Sequence, residues 1–211
     1  MDRELGSVHS LFNVPIVRYP IENWSENKKK ILDALPAEDE AQHHKPTGLY
    51  TDFFSNAYAD QDLPSYFHAV LNVIEPYLKN FMDGNTVEFT DMWYQKYYKN
   101  VEHTTHCHGF NGWSSIIYVE FDPLVHESTM FYSPFIGLSP NGNVETCQLK
   151  ITEGDMVLFP SSILHDAPLN RSDTRRTVVS YNIRGHVDAV KHTLWGDKLS
   201  LIHISEPTRP Y

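Results

Sequence analysis

The chain has 211 residues, enough for one sizeable core and too few to demand two, and a composition of 41% hydrophobic and 21% charged residues excludes a disordered polymer. A formal charge of −10 excludes a sequence-independent grip on nucleic-acid phosphates, so no direct nucleic-acid partner is expected. The acidic start MDRELGSVHS has no apolar leader core, no membrane span follows, and two cysteines make no disulfide framework, which together suggest a soluble protein of the reducing cytoplasm.

The opening apolar stretch, LFNVPIVRYPI at 11–21, is interrupted by Pro15 and Pro20 and suits an edge strand or an extended cover segment. Asn23 and Glu26 have capping-box spacing, Ile31, Leu32 and Leu35 supply an apolar stripe, and Pro36 ends this first helix. The mostly polar residues 37–51, with Pro46 and Gly48, read as a loop. A second helix opens near Pro64, with Phe67, Val70, Leu71, Ile74, Leu78 and Phe81 at helical spacing and Pro76 expected to kink or split it. Asp83-Gly84-Asn85 then turns the chain.

Beyond Gly84 the residues at 87–98, 112–121, 128–133, 145–151, 155–160 and 176–183 are rich in β-branched and aromatic types, with turn signals at 141–143 and 153–155. Helices come first and short strands follow, which defines an α+β chain whose antiparallel strands form a sandwich or barrel with the N-terminal helices packed on it. Residues 1–198 are taken as a single domain. The tail 199–211, LSLIHISEPTRPY, has no partner pattern and resembles translated adapter read-through, so it is set apart as a sequence artefact.

The densest chemical cluster is His103-Thr104-Thr105-His106-Cys107-His108. On an extended chain residues two apart face one side, so His106 and His108 can aim at a common point while Cys107 faces away. A polar loop after the apolar run 155–160 delivers His165, the distant third ligand that a facial metal site needs. Further on, alternation places Arg176, Val178, Ser180 and Asn182 on one face, and one of Arg175 and Arg176 is expected to be a solvated surface charge. If Arg176 is the inward one, it lacks an acidic neighbour in its segment, and a ligand carboxylate would supply a bidentate partner.

Together these segments resemble the 2-oxoglutarate and iron(II)-dependent oxygenases, in particular a prolyl-hydroxylase-like group common in marine phages and bacteria. The resemblance rests on LFNVPI at 11–16, Trp93-Tyr94-Gln95, HCHGFNGWSSIIYV at 106–119, EGDMVLFPSSILH at 153–165 and RRTVVSYNI at 175–183. It implies a double-stranded β-helix, the jelly-roll or cupin-like core, with Fe(II) held by His106, His165 and position 108. Arg176 would take the far carboxylate of 2-oxoglutarate, with Tyr97, Tyr118 and Ser180 as further contacts. Most of the superfamily has an acidic residue where this chain has His108, so either a three-histidine site forms or His108 stands outside it, the first being preferred. Gly109 replaces the proline usual at the next position.

The activity implied is a dioxygenase that consumes 2-oxoglutarate and O2, releases succinate and CO2, and hydroxylates a substrate such as a peptidyl proline. A phage-encoded chain would act in the host cytoplasm. Two alternatives stay open: another cupin-like metal enzyme, such as an isomerase or thiol dioxygenase, and a non-catalytic metal-binding barrel. The oligomeric state is not legible.

Overall fold

The computed structural model describes residues 14–37, 43–44, 48–53, 63–83, 85–135 and 143–186. The sequence expectations for 11–13, Gly84, 141–142 and the tail at 199–211 lie outside these residues. In chain order the elements are β1 (Val17–Pro20), α1 (Trp24–Ala34), β2 (His43–His44), β3 (Leu49–Thr51), α2 (Phe67–Met82), β4 (Thr86–Tyr97), β5 (Val101–His106), β6 (Trp113–Glu120), β7 (Met130–Tyr132), β8 (Thr146–Gln148), β9 (Asp155–Pro160), β10 (His165–Asn170) and β11 (Arg176–His186).

These strands form two antiparallel sheets, a seven-stranded one in the order β1-β9-β6-β11-β4-β3-β2 and a four-stranded one in the order β5-β10-β7-β8. This is the jelly-roll arrangement of the double-stranded β-helix. Strand alternation divides the core in two. On β9 and β11, Met156, Leu158, Val179 and Tyr181 face the helices and join Ile31, Phe67, Val70 and Ile74. Their neighbours Val157, Phe159 and Val178 face the other sheet and join Tyr97, Ile116, Tyr118 and Phe131. Both faces of the large sheet are therefore covered, which is why every residue of β6 but the first and last is buried. Each fully buried aliphatic side chain here, such as Ile117 or Val179, contributes about 1.5–3 kcal/mol through removal from water.

The structure departs from the sequence expectations at several places. The Asn23 side chain does not cap α1. Its backbone is left-handed, with φ 50°, and Glu26 pairs instead with Lys30 one turn on. Pro76 does not split α2, because it lies on the exposed face, where water can satisfy the carbonyl one turn back. The segment expected to be a loop contains the short strands β2 and β3, paired to each other and to the edge of β4. The region around His165 is likewise not a loop but the start of β10, whose polar residues and Pro168 hide its strand character. Arg175 is no free surface charge: it lies opposite Arg176 and makes two 2.8 Å hydrogen bonds to the Glu120 carboxylate.

Candidate metal and cosubstrate site

The small sheet brings the histidines together. His106 closes β5, His165 opens β10, and the two are direct cross-strand partners, the closest placement an antiparallel pair allows. His108 follows two residues after His106, and its backbone N–H donates to Ser161 O at 2.8 Å, which ties this short extension to the end of β9. Ring centroids are 4.4 Å apart for His106 and His165, 5.0 Å for His106 and His108, and 5.1 Å for His108 and His165. One nitrogen from each ring lies within 4.8 Å of the other two. Imidazole nitrogens sit about 2.0–2.2 Å from an ion of this kind, so small ring movements suffice for all three to share one. Cys107 points outward and is exposed.

Two of the rings are oriented by main-chain carbonyls. Nδ1 of His106 lies 2.7 Å from Thr104 O, and Nδ1 of His165 lies 2.9 Å from Ile163 O. A carbonyl can only accept, so Nδ1 carries the proton and Nε2 keeps its lone pair for a metal. Burial holds the imidazoles below the usual histidine range: His108 at about 3 and His165 at about 4, each pushed further down by its neighbouring rings, with His106 also lowered. At neutral pH all three are therefore uncharged donors.

Behind them the large sheet supplies a guanidinium. Arg176 is 2% exposed and pairs in register with Tyr97, whose ring lies 4.4 Å beneath its Cζ. Its Nη1 donates to Glu127 O at 2.9 Å and its Nη2 to Pro168 O at 2.8 Å. Among the described residues no carboxylate lies within ion-pair distance of it. Burial pulls its pKa below the ordinary guanidinium value, an effect opposed by Tyr97 and Tyr118 nearby. Among the described residues its hydrogen bonds go to neutral carbonyls, with the Glu127 and Asp166 charges farther off, so a ligand could supply a charged hydrogen-bond partner.

The candidate ligand and cosubstrate residues from the sequence all line one pocket: His106, His108, His165, Arg176, Tyr97, Tyr118 and Ser180. Their hydroxyls differ in availability. Tyr118 donates to Thr129 Oγ1 at 2.8 Å and accepts the Thr129 N–H at 3.2 Å, whereas no described residue hydrogen-bonds the Tyr97 hydroxyl. Asn182 lies on the same face as Arg176, as alternation predicts, but outside the pocket, where it accepts from Ser114 and donates to Asp91 beside a bulge.

The sequence reading gave no site role to Gln95, His103, Thr129 or Asp166, which line the same pocket, although His103 and Gln95 fell within motifs it quoted. Gln95 Nε2 lies 3.1 Å from His103 Nδ1, and the His103 ring stacks 4.1 Å from His106. Asp166, on β10, accepts from Tyr132 on β7 and Thr105 on β5, the two strands that flank it. The only sequence signal for these was the density of histidines at 103–108 and the alternation that puts Gln95 and Tyr97 on one side of β4.

The jelly roll thus brings three converging imidazoles that could hold a metal ion and a buried arginine to one pocket. Residues 91–182 match the family described as "Putative 2OG-Fe(II) oxygenase", a span that contains every pocket residue assigned above. The chain is an enzyme of the 2-oxoglutarate- and iron(II)-dependent oxygenase class, as the resemblance in its motifs implied.

Among solved structures the chain is similar to an oxidoreductase of the 2OG-Fe(II) oxygenase family from Burkholderia pseudomallei, with 11% identity, 80% of this chain and 84% of that one covered, and a TM-score of 0.57. It is also similar to HygX from Streptomyces hygroscopicus, solved with nickel, 2-oxoglutarate and hygromycin B, with 10% identity, 81% and 83% covered, and a TM-score of 0.56. A third is the viral collagen prolyl hydroxylase vCPH from Paramecium Bursaria Chlorella virus-1 in its 2OG complex, with 10% identity, 80% and 94% covered, and a TM-score of 0.53. At these identities the likeness is one of fold. No curated protein matches the chain in sequence. No described helix is long and apolar enough to cross a membrane.

Proposed function

We propose that His106, His108 and His165 hold iron(II), that Arg176 binds the far carboxylate of 2-oxoglutarate, and that the chain couples oxidation of this cosubstrate to hydroxylation of a C–H bond. The observation that carries this reading is a trio of neutral imidazole donors and a buried guanidinium with no carboxylate partner among the described residues, facing one pocket. The donor set fits a divalent first-row metal, since imidazole suits iron and three facial ligands leave positions open. Iron bound there would supply the oxidising chemistry that turns 2-oxoglutarate and O2 into succinate, CO2 and hydroxylated product.

The protein's own share is orientation. Thr104 O and Ile163 O fix the ring tautomers, Arg176 sets the depth of the cosubstrate, and Tyr97 offers a hydroxyl beside the same carboxylate. The walls formed by Ile116, Val178 and Phe159 exclude water from the space between. As substrate we favour a peptidyl side chain, proline among them. The viral collagen prolyl hydroxylase shares the fold, and Phe110, two residues past His108, is 93% exposed and offers an apolar surface beside the metal strand. Free, exposed Cys107 and Cys147 support action in a reducing cytoplasm.

The test is succinate release from 2-oxoglutarate under oxygen by the iron-loaded chain, together with calorimetry of 2-oxoglutarate binding with manganese in place of iron. Binding and turnover are expected, and a peptide library should show an added oxygen by mass. A chain that binds metal but no 2-oxoglutarate would be a different cupin-like enzyme. Binding without any succinate would make it a non-catalytic barrel.

A further inference from the structure

Arg176 is aimed by two main-chain carbonyls, and one of them, Glu127 O, belongs to a connection between β6 and β7 that has no sheet ladder of its own. The shape of that connection depends on local bonds. Val125 N and His126 N donate to Asp122 O, and Leu124 N donates to Asp122 Oδ1. At its centre His126 is 6% exposed and bonded through both ring nitrogens. Nδ1 accepts the Asp122 N–H at 3.0 Å, so the proton sits on Nε2, which donates to Thr174 O at 3.0 Å. The ring packs 5.5 Å from Phe121.

These partners flank the guanidinium on both sides. Thr174 lies two residues before Arg176, and its carbonyl also takes the Asn170 amide that bonds Tyr97 O. Glu127 follows His126 directly, and Thr129, which holds the Tyr118 hydroxyl, comes two residues later. A single imidazole thus ties the connection that carries one carbonyl support to the segment that launches the arginine strand. We propose that His126 is a positioning residue for 2-oxoglutarate: it fixes the Glu127 carbonyl and the start of β11 so that Arg176 meets the far carboxylate in a two-bond geometry. The proposal rests on the reading that Arg176 binds this carboxylate, and it concerns a residue that touches neither metal nor pocket.

The physical reason is the steep dependence of a paired hydrogen bond on aim. A displacement of the order of 1 Å at a positioning group is enough to lower affinity or rate substantially. Loss of the ring frees the Asp122 N–H and the connection around it, so Glu127 O no longer pins Nη1. A purely structural role would loosen the whole pocket. A positioning role weakens only ligands that use Arg176.

The experiment compares 2-oxoglutarate with 2-oxobutyrate, the same 2-oxo acid without the far carboxylate, by calorimetry on the manganese-loaded full chain. The chains are wild type, His126→Ala, His126→Gln, Arg176→Ala and the His126→Ala, Arg176→Ala pair. His126→Ala should weaken 2-oxoglutarate by about tenfold or more while leaving manganese and 2-oxobutyrate affinities within about twofold. His126→Gln, whose amide can still donate to Thr174 O, should recover part of the loss, and the His126 substitution should add nothing once Arg176 is gone. Unchanged 2-oxoglutarate binding by folded His126→Ala overturns the proposal, as does an equal weakening of both acids. If His126→Ala does not fold, His126→Gln decides: a ratio of the two affinities equal to wild type overturns it. A wild-type chain that binds no 2-oxoglutarate would overturn the reading of Arg176 itself, a result distinct from the others.

Discussion

Replacing Arg176 with leucine removes a guanidinium that is 2% exposed and leaves an apolar side chain over the Tyr97 ring. The magnitude follows from its bonds. Two N–H groups already face carbonyls, which leaves the rest of the fork, still charged despite its lowered pKa, for a carboxylate. Each hydrogen bond to a charged group contributes about 1.5–3 kcal/mol, so losing a pair costs at least about 3 kcal/mol. That corresponds to a weakening of 2-oxoglutarate by about 100-fold or more. Arg176→Lys keeps the charge but not the planar fork and should fall between the two. The assay is calorimetry with manganese in the metal site, with far-ultraviolet circular dichroism to confirm folding. A folded Arg176→Leu chain that binds 2-oxoglutarate within about threefold of wild type would falsify the assignment of this carboxylate site.

Three other outcomes follow from the geometry. His165→Ala should lower iron affinity by about 100-fold or more, because it removes a facial donor, whereas His108→Asp should keep or strengthen it; metal content after dialysis measures both, and stoichiometric iron in His165→Ala refutes the ligand set. In the metal-free chain, His103 and His165 at about 4 and His108 at about 3 bind fewer protons folded than unfolded. Stability should therefore be full above the ordinary histidine value and decline as pH falls toward these pKa values; urea melts that give the same stability at pH 7 and pH 5 would contradict this. Gly112→Ala should lower the melting temperature, since Gly112 has φ +99° and an added Cβ would lie 2.3 Å from Ile183 O. The cost is about 1–3 kcal/mol, and because Ser161 N donates to Gly112 O, metal affinity should fall as well; an unchanged melting temperature would refute the strain argument.

Legibility in the sequence followed burial. β9 was bounded correctly because its buried apolar run, 156–159, is framed by Asp155 after a turn signal and by Pro160. β4 was placed to within one residue at each end, while β11 was cut three residues short because Arg184-Gly185-His186 carries no apolar side chain. β5 and β10 were not read as strands, because their inner positions carry histidines instead of aliphatics and their pairing shifts register between His165 and Asn170. The same histidines that hid the strands marked the proposed ligands: His106 and His108 stood out by clustering and two-residue spacing, and His165 by its place after the apolar run 155–160. Arg176 was singled out by alternation alone, which distinguishes it from Arg175 but says nothing of Glu120, a partner on β6. His126 left no trace, because its partners are main-chain atoms and any residue type can supply those.

The direct opposition of His106 and His165 has a further consequence. The two rings ride on the thin sheet, whose β8 edge is wholly exposed, while Arg176 stands on the thick sheet braced by both helices. The pocket is thus a vice with one fixed jaw and one lighter jaw. Strain or heat that parts the layers would move the proposed metal ligands away from the braced arginine, so metal binding should fail while the buttressed half of the molecule still stands.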